Sequence, residues 1–224
     1  MKITNIVKSS IVLFSFIMSF NAVAENYYDV SQFDLFGIKL GMPPEEVRTI
    51  LKSKYDFDMP AIPSSSNGYC QSSMALQLPN VGEVNVSFNV DTDRPSENCE
   101  KGVKVSSIIY SFWSIMAQQG KDILTNADKE SIYQSIIVKY GEPSISGSSY
   151  GGRSSDLYWR GEKDKGQDVR KSDYLLQYFI GPQRLILSSK SISEEPYRRR
   201  KEVEATKRKV QEEYDRTHAI KPQL

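Results

Sequence analysis

Two segments with a helical spacing of apolar residues, each followed by short segments that have the composition of strands, constrain the fold of this chain most. The first helical segment begins at Pro44, where proline is tolerated, and ends near Asp56; the second runs from about Ala127 to Tyr140. The strand segments are 69–78, 83–90, 103–113, 155–160, 173–180 and 184–189. This order predicts an α+β fold, in which two helices pack on one face of an antiparallel sheet.

The two helical segments also match each other in sequence. Residues 44–55 align without a gap on residues 129–140, which places Glu45 on Glu130 and Tyr55 on Tyr140. Each helical segment precedes three strand segments. A duplicated α-βββ unit is one interpretation of this pattern, and chance agreement between two amphipathic helices is the other.

The first 24 residues have the features of a cleavable secretory signal. Lys2 and Lys8 supply the positive region, residues 11–20 the apolar region, and Ala22-Val23-Ala24 the small residues that a signal peptidase recognises. The apolar region is about half as long as the roughly 20 residues of a membrane-spanning helix. We therefore expect residues 1–24 to be removed and the mature protein to be periplasmic or secreted.

Composition divides the mature chain into three parts. We expect residues 25–31 to be a flexible leader and residues 32–191 to be the α+β domain. Residues 192–224 are expected to form a charged helical tail, because 15 of the 23 residues from 194 to 216 are charged and opposite charges recur four residues apart. A solvated helix is one interpretation of this tail, and a partner-binding helix is the other.

Cys70 and Cys99 are the two cysteines of the chain. In an oxidising compartment such a pair predicts a disulfide, which would close a loop of about 30 residues and stabilise the fold by roughly 3–4 kcal/mol. Two buried free thiols are the alternative. A metal site at these cysteines is disfavoured by their spacing and by the presence of only one histidine.

The charge of the mature chain predicts neither a nucleic-acid partner nor an anionic membrane partner. Without the signal, 27 basic residues face 28 acidic ones, so the chain has no net field that would attract a polyanion. No segment after the signal is long and apolar enough to predict a membrane span.

One catalytic pattern occurs, since residues 147–151 fit G-x-S-x-G. A nucleophile elbow needs a strand before it and a helix after it, and neither is predicted here. The only histidine, His218, lies in the charged tail, and Asp91 with Asp93 has the composition of a turn. We expect no enzymatic activity and no cofactor; the alternative is a small carboxylate-dependent cell-wall hydrolase.

The polar positions of the first strands predict a surface for a partner protein. A sheet with helices on one face leaves the other face in contact with water, and polar residues beside exposed aromatic residues suit protein binding. The residues expected on this face are Gln71, Ser73, Gln77, Asn85, Ser87 and Asn89. We expect this face, rather than the tail, to receive a partner.

The segment Gly37-Ile38-Lys39-Leu40-Gly41-Met42-Pro43-Pro44-Glu45-Glu46-Val47, together with Tyr140-Gly141-Glu142-Pro143, resembles a pattern of exported bacterial proteins of the beta-lactamase-inhibitor-protein-like superfamily. This group includes small outer-membrane assembly lipoproteins, but the present chain has no lipid-bearing cysteine. The resemblance implies a non-enzymatic protein that binds other proteins, of inhibitor, immunity or envelope-accessory type. The implied partner is another envelope or secreted protein.

Overall fold

The structure is a computed structural model that describes residues 26–64, 68–91, 99–112, 125–148, 155–165 and 167–218. The signal peptide predicted over residues 1–24 lies outside these ranges. The helices are α1 (Pro44–Tyr55), α2 (Asn126–Tyr140) and α3 (Lys190–His218). The strands are β1 (Asp34–Leu35), β2 (Ile38–Lys39), β3 (Ser73–Leu78), β4 (Gly82–Phe88), β5 (Val105–Ser111), β6 (Ile145–Ser148), β7 (Ser155–Arg160), β8 (Tyr174–Phe179) and β9 (Arg184–Ser189).

Strands β3 to β9 form one antiparallel sheet in the order β3-β4-β5-β9-β8-β7-β6. Helix α1 precedes the meander β3-β4-β5, and α2 precedes the meander β6-β7-β8-β9. The last strands of the two meanders, β5 and β9, pair with each other. Two copies of one α-βββ unit joined through their last strands would have this strand order, with β6 as an additional strand.

One face of the sheet and the two helices enclose the core. The alternation of β4 places Val84, Val86 and Phe88 on this face, where they are at most 2% exposed. The helices contribute Val47, Leu51, Ile136 and Tyr140 to the same buried cluster. The predicted α+β fold, with two helices on one face of an antiparallel sheet, is therefore confirmed.

The helix boundaries follow from local chemistry. Helix α1 has Pro44 in its first turn, where a missing N–H costs nothing, and ends at Asp56 in the left-handed region with a φ of 49°. Helix α2 begins with a capping box: Thr125 Oγ1 accepts a hydrogen bond from Asp128 N, and Asp128 Oδ2 accepts one from Thr125 N. Both helices therefore begin where their sequences predict.

We predicted a flexible leader over residues 25–31. This prediction is wrong, because residues 26–31 pack on the domain. Val30 is 1% exposed, Tyr28 N donates to Arg160 O (3.0 Å), and Tyr28 Oη donates to Glu142 O (2.7 Å). A Cβ on Gly141 would lie 2.7 Å from Tyr28 Oη, so this contact depends on glycine at the end of α2. The apolar residues of this segment are few, but their burial is enough to hold it in place.

The predicted disulfide between Cys70 and Cys99 is present, with the two Cα atoms 5.3 Å apart. Glu100, which follows it, accepts hydrogen bonds from the Arg48 guanidinium and from Ile62 N (2.8 Å). These contacts connect α1, the segment after α1 and the start of β3 to the chain that leads into β5. The beginning of β3 is therefore held on two sides.

The predicted strand segments do not include residues 145–148, but these residues form β6, which pairs with β7. Backbone pairing with a neighbouring strand does not depend on side chains, so the residue types gave no signal. Gly147 and Ser148 of the G-x-S-x-G pattern lie in this strand, whereas Ser149, Tyr150 and Gly151 lie outside the described residues.

Helix α3 starts at Lys190, directly after β9, rather than as a separate tail at residue 192. Ile192 packs against the core, and Asn89 Nδ2 donates to Glu195 Oε2 (3.2 Å). Arg200 forms an ion pair with Asp91 at 2.7 Å. Residues 201–218 are exposed throughout. None of the helices in the described part of the chain combines the length and the hydrophobicity that crossing a bilayer requires.

Candidate functional site

The face of the sheet opposite α1 and α2 carries small and mostly uncharged side chains, and we call it the open face. Its members follow from the pairing register, because alternate residues of a strand share a face. One row of neighbours, the serine row, consists of Ser73, Ser87, Ser107 and Ser188. The next row, the central row, consists of Ala75, Asn85, Ile109, Ile186, Gln177 and Tyr158.

The side chains of both rows keep contact with solvent, whereas their neighbours along the strands are buried. Asn85 and Ser87 are partly exposed, but Val84 and Val86 are 0% exposed. The paired strands fix the backbone that carries these side chains. A partner that binds here therefore orders less of the protein than one that binds a loop.

A hydrogen-bonded group borders the two rows. Gln77 Nε2 donates to Glu83 Oε2 (3.1 Å), and Asn85 Nδ2 donates to Glu83 Oε1 (2.9 Å). The carboxylate of Glu83 orients both amides, so their free donors and acceptors are presented in a defined direction. Such preorganised polar groups are suited to specific recognition.

Four of the six residues predicted for the partner surface lie together on the open face. Ser73 is paired with Ser87, and Gln77 with Glu83, while Asn85 lies beside Ala75 in the central row. Gln71 is exposed just before β3, and its N–H donates to Pro63 O (2.9 Å). The sequence alternation therefore brings Ser73, Gln77, Asn85 and Ser87 to one surface, with Gln71 at its border.

Asn89 does not join this surface. It is 7% exposed, its Oδ1 accepts a hydrogen bond from Lys104 N (2.5 Å), and its Nδ2 donates to Glu195 of α3. The cause is a shift of register between Ser87 and Phe88, where β4 ends. An irregularity of this kind breaks the alternation, so a residue two positions after Ser87 no longer shares its face.

Ser107, Ile109, Ile186 and Ser188 complete the open face, although the sequence pattern did not single them out. They lie on β5 and β9, the strands through which the two meanders pair. A strand with apolar residues on both faces gives no alternation from which its solvent side could be read. Each strand has two adjacent serines, of which one is buried (Ser106 and Ser189) and the other lies on the open face, so serine itself does not identify the solvent side.

A second candidate is a groove of about 410 Å³ between α1 and α2. Phe36, Tyr110 and Phe112 line it with edge-to-face ring contacts. Burial raises the pKa of Tyr110 to about 12. Burial alone would raise the pKa of Asp34 at the groove's rim, but hydrogen bonds from Gly37 N (2.7 Å) and Lys139 Nζ (3.1 Å) hold it below 3.8. At neutral pH, Tyr110 therefore remains a neutral phenol and Asp34 an ionised carboxylate. Neither group gains or loses a proton near pH 7, as a general acid or base would.

Within the described ranges, no three histidine, cysteine, aspartate or glutamate side chains are grouped so that they could hold a metal ion. Comparisons of the chain with protein-family models, with curated proteins and with solved structures returned no match. A functional assignment therefore depends on the residues and the geometry of this chain.

Proposed function

We propose that this chain is an exported, non-enzymatic protein-binding module, of inhibitor, immunity or envelope-accessory type, and that its partner docks on the open face. The observation that carries the proposal is the pair of solvent-facing rows in which serine, asparagine and isoleucine residues of β4, β5 and β9 are paired. These side chains offer hydrogen bonds and apolar contact but no group that could act as a nucleophile's base.

Export is supported by two independent features. The N-terminal sequence has the three parts of a secretory signal, and Cys70 and Cys99 form a disulfide. Structural disulfides persist mainly in oxidising compartments such as the periplasm or the extracellular medium. The partner is accordingly proposed to be another envelope or secreted protein.

The alternative, a carboxylate-dependent hydrolase, is disfavoured by the positions of the two carboxylates that are buried within the described residues. Asp156 is 0% exposed on β7, and Asp164 is 5% exposed after it. Asp164 Oδ2 lies beside Gly161, since it would be 3.8 Å from a Cβ added to that residue. Gly161 is five residues after Asp156, and five residues of extended chain span about 16 Å. Glycosidases hold their two carboxyl groups about 5–10 Å apart, so this pair does not have their geometry.

The proposal is tested with the mature protein as bait for envelope extract, followed by purification of the captured partner. The face variant carries Asn85→Arg and Ser188→Arg, which add two charges and much bulk to the open face. The matched control carries Ser131→Arg and Gln134→Arg on the exposed side of α2. We expect the face variant to bind the partner at least about tenfold more weakly and the control to bind normally.

Two results would contradict the proposal. One is equal binding by the face variant and the control, with both shown to be folded by circular dichroism. The other is turnover of purified peptidoglycan by the mature protein that is lost in an Asp156→Asn or Asp164→Asn variant. The second result would establish the hydrolase instead.

A further inference from the structure

Among the strands of the described ranges, β3 lies at the edge of the sheet, with β4 as its neighbour. Its sequence, Ser73 to Leu78, has six residues with no charge and no proline, and its pairing with β4 has no irregularity. Natural sheets ordinarily protect an exposed edge with charges, prolines, bulges or short strands. None of these four devices is present on β3.

The register determines which backbone groups of β3 point away from β4. Phe88 N donates to Ser72 O (2.7 Å), so residues 72, 74, 76 and 78 exchange hydrogen bonds with β4. The N–H and C=O groups of the intervening Ser73, Ala75 and Gln77 therefore point outward, and all three residues are exposed. In the described part of the chain, no backbone group bonds to these three N–H groups or their carbonyls.

The chain itself already uses the start of this edge. Pro63 O accepts the hydrogen bond from Gln71 N, and Ser64 forms an antiparallel bridge with Cys70. The outward groups of residues 73, 75 and 77 continue the same edge beyond that short pairing. The disulfide at Cys70 and the Glu100 contacts hold the beginning of the edge in place, which lowers the ordering cost of adding a strand.

A partner's strand fits this edge better than a second copy of the chain. Met74, Leu76 and Leu78 point to the core and are at most 7% exposed, although they lie at the border of the sheet. The layer that packs on the sheet therefore covers β3, and pairing of two β3 strands would bring two such layers together. A single extended segment needs only one strand spacing of about 4.8 Å.

We propose that the β3 edge accepts an extended segment of the partner protein as an additional antiparallel strand, with a basic residue beside Gln77. This inference rests on the proposed function and names the contact through which the partner is held. Main-chain hydrogen bonds with Ser73, Ala75 and Gln77 supply the affinity, and the carboxylate of Glu83, held by Gln77, attracts the basic residue. The same segment brings the rest of the partner over the open face.

The test uses the acetylated peptide amide Lys-Val-Thr-Val-Thr-Val and the isotope-labelled mature protein. In the antiparallel pairing, the lysine, the third and the fifth residue lie opposite Gln77, Ala75 and Ser73. We expect the amide signals of these three residues to shift and their hydrogen exchange to slow at least about tenfold at saturation. A peptide N-methylated at the third residue, which loses an N–H that bonds to β3, should not bind; N-methylation at the fourth residue should leave binding intact.

The matched protein variants are Ala75→Pro and Ala75→Thr. Proline at residue 75 removes an outward donor while residues 74 and 76 keep their bonds to β4; we therefore expect Ala75→Pro to bind at least about tenfold more weakly and Ala75→Thr within about twofold. Equal binding by Ala75→Pro and the parent protein, no binding to the parent, or shifts elsewhere would overturn the proposal. A dimer that Ala75→Pro converts to a monomer would overturn it in favour of a second copy. Capture of the envelope partner that is lost in the face variant but kept in Ala75→Pro would refute this contact and leave the proposed function standing.

Discussion

At the residue scale, Glu100 joins three segments of the chain through one carboxylate. Glu100 lies one residue after Cys99 of the disulfide. Its carboxylate accepts hydrogen bonds from Arg48 of α1 and from the N–H of Ile62. Burial alone would raise the pKa of Glu100, but the bond from Arg48 and the bond from Ile62 N outweigh it and hold the pKa below 4.5. A lowered folded-state pKa means that the contribution to stability is complete above about pH 4.5 and is lost as the pH falls through the folded-state value.

We expect Glu100→Gln to lower the free energy of unfolding by about 1 kcal/mol at pH 7, since the site is partly solvated and the charge is screened. The difference from the parent protein should shrink as the pH falls to about 3, because the parent then loses the same charge. Urea unfolding at both pH values measures this. Glu212→Gln, on the exposed part of α3, should change nothing. A Glu100→Gln deficit that is equal at both pH values would show that the charge is not its source.

At the element scale, α2 depends on its cap more than α1 does. The helical spacing of Ile132, Ile136, Ile137 and Tyr140 indicates a buried stripe, but of these four only Ile136 and Tyr140 are buried, and Val138 is 86% exposed. A helix with so narrow a buried face gains less from tertiary packing, so its terminal hydrogen bonds matter more. The capping box of Thr125 and Asp128 supplies two of them.

Replacing Thr125 by alanine removes the acceptor for Asp128 N and should lower the free energy of unfolding by about 1 kcal/mol. Thr125→Ser keeps the hydroxyl and should stay within about 0.3 kcal/mol of the parent. Urea unfolding followed by circular dichroism measures both. If serine and alanine cost the same, the hydroxyl is not what the site requires.

Elements of this chain were more predictable than the surface they build. The strands predicted at 155–160 and 184–189 match β7 and β9 residue for residue, because a short run of apolar and aromatic residues bounded by turn residues is a local signal. Asn89 left the predicted face because β4 ends at an irregularity that depends on its pairing with β5. Ser107 and Ser188 lie on that face because β5 and β9 are neighbours in the sheet. The two serines are 81 residues apart in sequence, and a local periodicity cannot predict a pairing over that separation.

At the scale of the whole molecule, α3 has two parts: its first turns pack on the domain, and the rest is exposed to solvent. Its first turns belong to the domain, since Ser191 N donates to Asp173 Oδ1 (2.7 Å), Glu195 binds Asn89, and Arg200 binds Asp91. From residue 201 to residue 218 every side chain is exposed. The boundary predicted between residues 191 and 192 therefore lies within the part of α3 that packs on the domain. The helix becomes fully exposed about ten residues later, from residue 201.

This division predicts opposite outcomes for two truncations of the mature protein. A chain that ends after Lys201 keeps Glu195 and Arg200, so its free energy of unfolding should stay within about 0.5 kcal/mol of the parent. A chain that ends after Ser193 leaves the buried amide of Asn89 and the carboxylate of Asp91 without these partners, and its free energy of unfolding should fall by about 2 kcal/mol.

Residues 202–224 carry five acidic and five basic residues, which cancel, so their removal should also leave the association rate with the partner nearly unchanged. Urea unfolding and stopped-flow binding of the two chains measure both effects. If the chain that ends after Lys201 is as stable as the parent but no longer binds the partner, the exposed half of α3 is the docking surface, and the assignment to the open face and the β3 edge is wrong.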